Sequence, residues 1–275
     1  MSTCNHAIVQ CSTGSLAPLG GGRYWNVAAM MEGVRLLGWP AIELRLWQEW
    51  DEGDMATVAG RAKDAGLEIN SVHIPPDSEV LLSTLGCLDA ARDLMDKCLQ
   101  AALAAGARVA VVHAWDLRRP QFSQGALVDN LNLFSQALAQ HGVSLSVEGI
   151  PGHVSMLPVI ARACPGVSFT VDTQWASLED SWDLVNHLMP RVTNVHVQTY
   201  VDPIEGGGVA MGRTAAGRRF DAEKVIRGLT AGGYAGLVTL EPNGVPGVSE
   251  IHLRRALRNL EEWLQEIRPP REGSR

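Results

Sequence analysis

The sequence predicts a single (β/α)8 barrel, and three observations carry that prediction. Eight short apolar segments alternate with eight segments of helical pattern, and the order ends on a helix. No Pro/Gly/Ser linker or break in composition divides the 275 residues, a length that α/β barrels reach as one domain. Several of the apolar segments end in Glu, Asp or His, as expected of strands whose carboxyl ends share one mouth.

The elements follow in order. Ala7–Cys11 is a first strand, and a glycine-rich turn runs through Gly20–Gly22 into a helix over Ala28–Leu37 that Gly38 stops. Ala41–Leu46 is the second strand, with Glu43 and Arg45 near its end; Met55–Ala65 is helical up to Gly66. Leu67–Ile74 is the third strand, halted by Pro75–Pro76 just after His73. The helix Leu88–Ala105 ends at Gly106, and strand four, Arg108–His113, again ends in histidine. Helices over Leu127–Gln140, Met156–Ala163 and Trp182–Leu188 then separate strands ending at Glu148, Asp172 and His196. Residues 199–219, with five glycines, read as a long unstructured lid over the mouth. A seventh helix covers Ala222–Leu229, an eighth strand Tyr234–Leu240, and a last helix Glu250–Ile267; residues 269–275 read as a frayed tail.

The strands read as apolar runs without polar alternation, which implies a parallel sheet covered on both faces. A doubly wound open sheet competes, but it would have fewer strands and a phosphate loop after the first. STGSLAPLGGG matches neither GxGxxG nor GxxxxGK[ST].

Glu148, Asp172 and His196 are each 24 residues apart, about one strand plus one helix with their turns, and Glu241 ends the fourth such segment. Three oxygens and one imidazole nitrogen at strand ends are a metal-site signal, and the set suits Mn2+, Co2+, Mg2+ or Zn2+. Glu43, His73 and His113 would join the same ring in a barrel. Glu43 is a candidate substrate contact, or else pairs with Arg45 at the rim.

A net charge of -7 disfavours nucleic acid and acidic membranes as partners. Cys4, Cys11, Cys87, Cys98 and Cys164 have no paired spacing, which fits free thiols in a reducing cytoplasm. No signal peptide or apolar run of spanning length is present. The last helix carries an apolar stripe (Ile251, Leu253, Leu257, Leu260, Trp263, Leu264, Ile267) that closes the outer ring or forms a homodimer surface.

Six motifs in order, SVHIP (71–75), AVVHA (110–114), SVEG (146–149), FTVDTQWA (169–176), NVHVQ (194–198) and GGYAGLVTLEP (232–242), give the chain a resemblance to the xylose-isomerase-like TIM-barrel superfamily. That group includes sugar isomerases and epimerases, inosose dehydratases and endonuclease IV-type nucleases. The resemblance implies that Glu148, Asp172, His196 and Glu241 hold a divalent ion, with Glu148 and Glu241 also the proton-transferring pair. It implies an isomerase or epimerase of a small carbohydrate-like compound, acting through a metal-stabilised enediolate. An inosose-dehydratase-like lyase is a close variant.

In the nuclease branch His73 and His113 would hold a second metal bridged by Glu148, giving an endonuclease IV-like phosphodiesterase. The third nuclease metal lacks its ligands: Trp175 stands where that pattern has histidine, and residues 199–219 contain Asp202 but no histidine. His73 and His113 are equally candidates for a substrate contact or for hydrogen bonds that support the ligands, and Trp115, Trp175 and Arg213 are further candidate substrate contacts.

Overall fold

The computed structural model describes residues 7–114, 122–149, 156–179, 181–202, 208–211, 221–242 and 249–265. Eight parallel strands form the barrel: β1 (Ile8–Ser12), β2 (Ala41–Arg45), β3 (Glu68–His73), β4 (Val109–His113), β5 (Ser144–Glu148), β6 (Ser168–Asp172), β7 (Val192–Asp202) and β9 (Leu237–Pro242). Each pairs with the next, β6 with β7 and β9 with both β7 and β1, so the sheet closes without an edge. The intervening β8 (Gly208–Met211) is not a barrel strand. It pairs antiparallel with the end of β7, from Thr199↔Met211 to Asp202↔Gly208.

That hairpin corrects the unstructured reading of 199–219. Thr199, Val201 and Val209 are β-branched and suit strands, but glycine density at 206–208 hid the pairing. Arg213 lies outside the described residues.

The helices wrap the ring as α2 (Val27–Leu37), α3 (Met55–Asp64), α5 (Leu88–Ala105), α6 (Gln124–Ala139), α7 (Leu157–Ala163), α9 (Trp182–Leu188), α10 (Ala222–Ala231) and α11 (Glu250–Gln265). Three short helices were not expected from the pattern: α1 (Leu16–Leu19), α4 (Ser78–Ser83) and α8 (Thr173–Leu178). All three are six residues or fewer, too short to show a helical period. Asn26, Asp54, Ser123 and Asp221 cap their helices by accepting backbone N–H groups. Gly38 and Gly106 end α2 and α5 at φ 62 and 78, a left-handed conformation that a side chain would strain.

The strands alternate after all, and this overturns the reading of uniformly apolar runs. One face of each strand, with Cys11, Leu44, Val72, Val112, Phe169 and Val197, packs against the helices in the main core. The other face points into the barrel and is polar over much of its height: Gln10, Glu43, Ser71, Ser146, Thr170, Asn194 and Thr239 are all buried there and hydrogen-bonded to one another. Val109, Val111 and Leu237 form a separate apolar cluster. A β-bulge carries the register past Thr193, since Phe169 pairs with Val192 but Thr170 with Asn194. Thr193 Oγ1 lies within hydrogen-bond distance of Ser146 Oγ and Ser168 Oγ, at 3.0 and 3.1 Å.

On α11, Leu253, Leu257 and Leu260 are buried against the barrel, and Trp263 and Leu264 pack beside them. Ile251 stays 65% exposed, and Ile267 lies outside the described residues. No helix among the described residues is long and apolar enough to cross a membrane.

Candidate metal centre

Parallel register brings the strand-end residues to one level of the mouth. His113 pairs with Glu148, Asp172 with His196, Gln198 with Glu241 and Arg45 with His73. One donor atom each from His73, Glu148 and His196 lies within 4.8 Å of the others, and the same is true of Glu148, Asp172 and Glu241. Glu148 belongs to both groups.

The carboxylate of Glu148 is the hub. Its Oε2 faces His73 Nε2 at 3.3 Å and His113 Nε2 at 3.0 Å, while its Oε1 lies 3.1 Å from His196 Nδ1. The far nitrogen of each ring faces an oxygen. His73 Nδ1 faces the Ile74 carbonyl at 3.0 Å, His113 Nδ1 faces Glu79 Oε1 at 2.8 Å, and His196 Nε2 lies 3.3 Å from Glu43 Oε2. The outer nitrogens of His73 and His113 donate to these acceptors, and the Glu148 carboxylate, which also only accepts, faces the inner nitrogens, an arrangement suited to the charged rings of His113 and His196. Histidines that hold metal ions are commonly anchored in this way.

Among the described residues, His196 Nδ1 is buried and makes no aligned hydrogen bond. Its approach to Glu148 Oε1, and to Glu241 Oε2 at 3.6 Å, is one of proximity and charge. A buried imidazole nitrogen facing two carboxylates, with Asp172 beside them, has the donor chemistry that a divalent ion requires.

Asp172 is the N-cap of α8. Its Oδ1 accepts from the backbone of Gln174 and Trp175 at 2.7 and 3.0 Å, and its Oδ2 accepts from Gln198 Nε2 at 2.7 Å. The side chain expected as a ligand is thus also a helix cap.

The electrostatics follow from burial and neighbours. Burial disfavours the Glu148 carboxylate, but His196 and His113 outweigh it and hold the carboxyl well below its usual range. Burial alone would depress His196; Glu148, Glu43 and Glu241 overcome that and raise it well above the usual value. Burial likewise opposes His113, but Glu148 and Glu79 push it up to about 9. His73 is lowered by burial and then by Arg45. Burial, with the charges of Glu148 and Glu241 added, raises Asp172 well above an ordinary carboxyl. Three crowded carboxylates call for positive charge at this point.

Two placements differ from expectation. Glu43 is fully buried, one layer below the mouth, and does not pair with Arg45. Its Oε2 accepts from Ser71 Oγ at 2.8 Å and Asn194 Nδ2 at 2.9 Å, so the alternation of β2 makes it a support for His196 rather than a rim residue. Arg45 turns to Glu241 instead, Nη1 to Oε1 at 3.3 Å. Trp175 is partly buried in the first turn of α8, and Trp115 lies outside the described residues. Glu79 and Gln198 were not foreseen. Gln198 was legible, two residues beyond His196 on the same strand face; Glu79, on a six-residue helix, gave no signal.

The model of the xylose isomerase-like TIM barrel family matches residues 31–267, most of the chain. The protein belongs to this family. Its solved relatives share the fold at low identity. The D-allulose 3-epimerase from Methylomonas sp. superposes with a TM-score of 0.71 at 15% identity, covering 96% of this chain and 100% of that one. An AP endonuclease, family 2, from Brucella melitensis gives 0.64 at 16%, covering 90% and 96%. An L-ribulose 3-epimerase gives 0.62 at 16%, covering 94% and 91%. No curated sequence matches the chain. Family members are mostly enzymes, epimerases and endonucleases among them.

Proposed function

We propose that the protein is a divalent-metal-dependent isomerase or epimerase acting on a small sugar-like or polyol-like carbonyl compound. The observation that carries this reading is the approach of two carboxylates to one buried nitrogen: Glu148 Oε1 at 3.1 Å and Glu241 Oε2 at 3.6 Å from His196 Nδ1. Glu148, Asp172, His196 and Glu241 would hold the ion. When bound, a divalent ion supplies Lewis-acid polarisation of a carbonyl oxygen and acidifies the adjoining C–H.

The chain's own residues do the rest. Glu148, kept ionised by His196 and His113, accepts the proton from the carbon between carbonyl and hydroxyl. Glu241, entering the step protonated, gives its proton to the opposite face of that carbon in an epimerisation, or to the neighbouring carbon in an isomerisation in which the hydroxyl proton passes to the carbonyl oxygen. The two carboxyls exchange protons with solvent between turnovers. Gln198 fixes Asp172 and Glu43 fixes His196, so both ligands are held before substrate arrives. Loss of a hydroxyl after the first proton transfer would give the lyase variant. A small carbohydrate suits an acidic chain better than nucleic acid does, and the free Cys11, Cys87, Cys98 and Cys164 fit a reducing cytoplasm.

A second reading has its own observation. His73 and His113 both aim Nε2 at Glu148 Oε2, so a second ion bridged by Glu148 would make a two-metal phosphodiesterase.

The test is deuterium incorporation. Metal-loaded protein is incubated with a panel of ketoses in D2O, and metal content per chain is measured for wild type and His73→Ala. Exchange that falls about 100-fold or more in Glu148→Gln and Glu241→Gln supports proton transfer. Two metals falling to one in His73→Ala, with bis(p-nitrophenyl) phosphate hydrolysis and no exchange, would replace it with the second reading.

A further inference from the structure

One charged group at the mouth has no part in the chemistry above. Arg45 ends β2, level with His73, and its side chain is 18% exposed. A guanidinium offers five N–H donors. Among the described residues Arg45 uses one, the 3.3 Å contact from Nη1 to Glu241 Oε1, longer than the 2.7–2.9 Å of a strong charge-assisted bond. Its Nε is buried and has no partner among the described residues. Glu241, its one carboxylate partner among the described residues, also lies near His196.

The position is built. Thr13 Oγ1 accepts from the Arg45 backbone N–H at 2.9 Å. Gly14 clears the stem, for a Cβ there would stand 2.9 Å from Arg45 Cδ. The guanidinium lies 5.3 Å from the ring centre of Trp47, and Tyr24 stacks on the other aromatic at 5.9 Å. An arginine braced by an aromatic ring, with its neighbour cleared for it and most of its donors unspent, is a preorganised oxyanion receptor.

We propose that Arg45, braced by Trp47 and Tyr24, binds an oxyanion on the substrate, so that the compound handled is an acidic one carrying a carboxylate or phosphate monoester rather than a neutral sugar. This rests on the reading of the mouth as a small-molecule site. Arg45 touches Glu241, one of the residues that would hold the ion, which places the anionic group near the reacting carbons.

The experiment is equilibrium binding, which needs no turnover. Metal-loaded wild type, Arg45→Met and Gly14→Ala are titrated calorimetrically with glycerol, glycerate and glycerol 3-phosphate, three ligands on one carbon skeleton. Wild type is expected to bind at least one of the acids roughly 10- to 100-fold more tightly than glycerol. Whichever acid gains identifies the oxyanion. The preference falls to within about 3-fold in Arg45→Met and is reduced in Gly14→Ala, which keeps the charge and displaces the stem. Metal content is measured on each variant, so that loss of the ion is separated from loss of the anion contact.

Equal affinity of wild type for all three overturns the proposal. So does an acid preference that survives in metal-loaded Arg45→Met, for the anion would then sit on the metal. Failure of the isomerase reading shows separately, as absent deuterium exchange, and leaves these binding results standing.

Discussion

Replacing Glu43 by Gln tests whether the barrel interior organises the candidate metal centre. Glu43 is fully buried, and three donors converge on its Oε2: Ser71 Oγ at 2.8 Å, Asn194 Nδ2 at 2.9 Å and His196 Nε2 at 3.3 Å. Glutamine keeps one acceptor oxygen for that corner but removes the charge that holds the His196 N–H. Loss of the group that orients a metal-bound histidine costs about 10- to 100-fold in metal affinity, or roughly 1.4–2.8 kcal/mol. Folding without metal is expected to move less, because two effects oppose each other. A buried carboxylate is no longer desolvated, while His196 loses a counter-charge. The assay is Mn2+ binding against a competing chelator, with urea unfolding of the metal-free protein alongside. A variant that folds and binds metal within about 2-fold of wild type would refute the anchoring role.

Three further outcomes follow from the geometry. Saturation with Mn2+ at about 100 times its Kd is expected to stabilise the fold by about 2.7 kcal/mol, read as a shift in the urea midpoint that chelator reverses; no shift counts against the centre. Gly33→Ala places a Cβ 1.9 Å from the Leu16 carbonyl, where α1 crosses α2, and is expected to cost about 1–3 kcal/mol in urea unfolding. Tyr234→Phe removes the buried 2.6 Å bond from the hydroxyl to the Leu237 carbonyl and is expected to cost about 1 kcal/mol, with metal affinity unchanged.

Much of the fold was legible where a helix is long and stops on glycine, as α2 and α5 do. Leu88–Ala105 followed by Gly106 was delimited by its period and its stop signal, and the structure keeps both. The 24-residue spacing of Glu148, Asp172 and His196 placed three donors at strand ends, and parallel pairing then brought them level. What escaped was shorter than a period or nonlocal. The four-residue α1 and the six-residue α4 hold too few residues to show a face, and α4 took Glu79 with it. The β7–β8 hairpin depends on pairing across residues 203–207, which no local pattern reveals.

One miss was avoidable. SLSVE and SFTVD alternate in plain view, and reading them as apolar runs concealed that Glu43, Ser71 and Asn194 share an interior with His196.

That interior has a consequence for how the protein can change. Gln10 donates to Ser71 and Thr239, Ser71 donates to Glu43, Thr239 donates to Asn194, and Asn194 donates back to Glu43, joining five strands in one closed circuit. Each member supplies what another lacks, so a single apolar replacement strands two partners in a space sealed from water. Double substitutions around the circuit should therefore cost less than the sum of the singles. A library that varies one position at a time would discard every step toward a drier barrel, whereas one that varies the five together could cross to it.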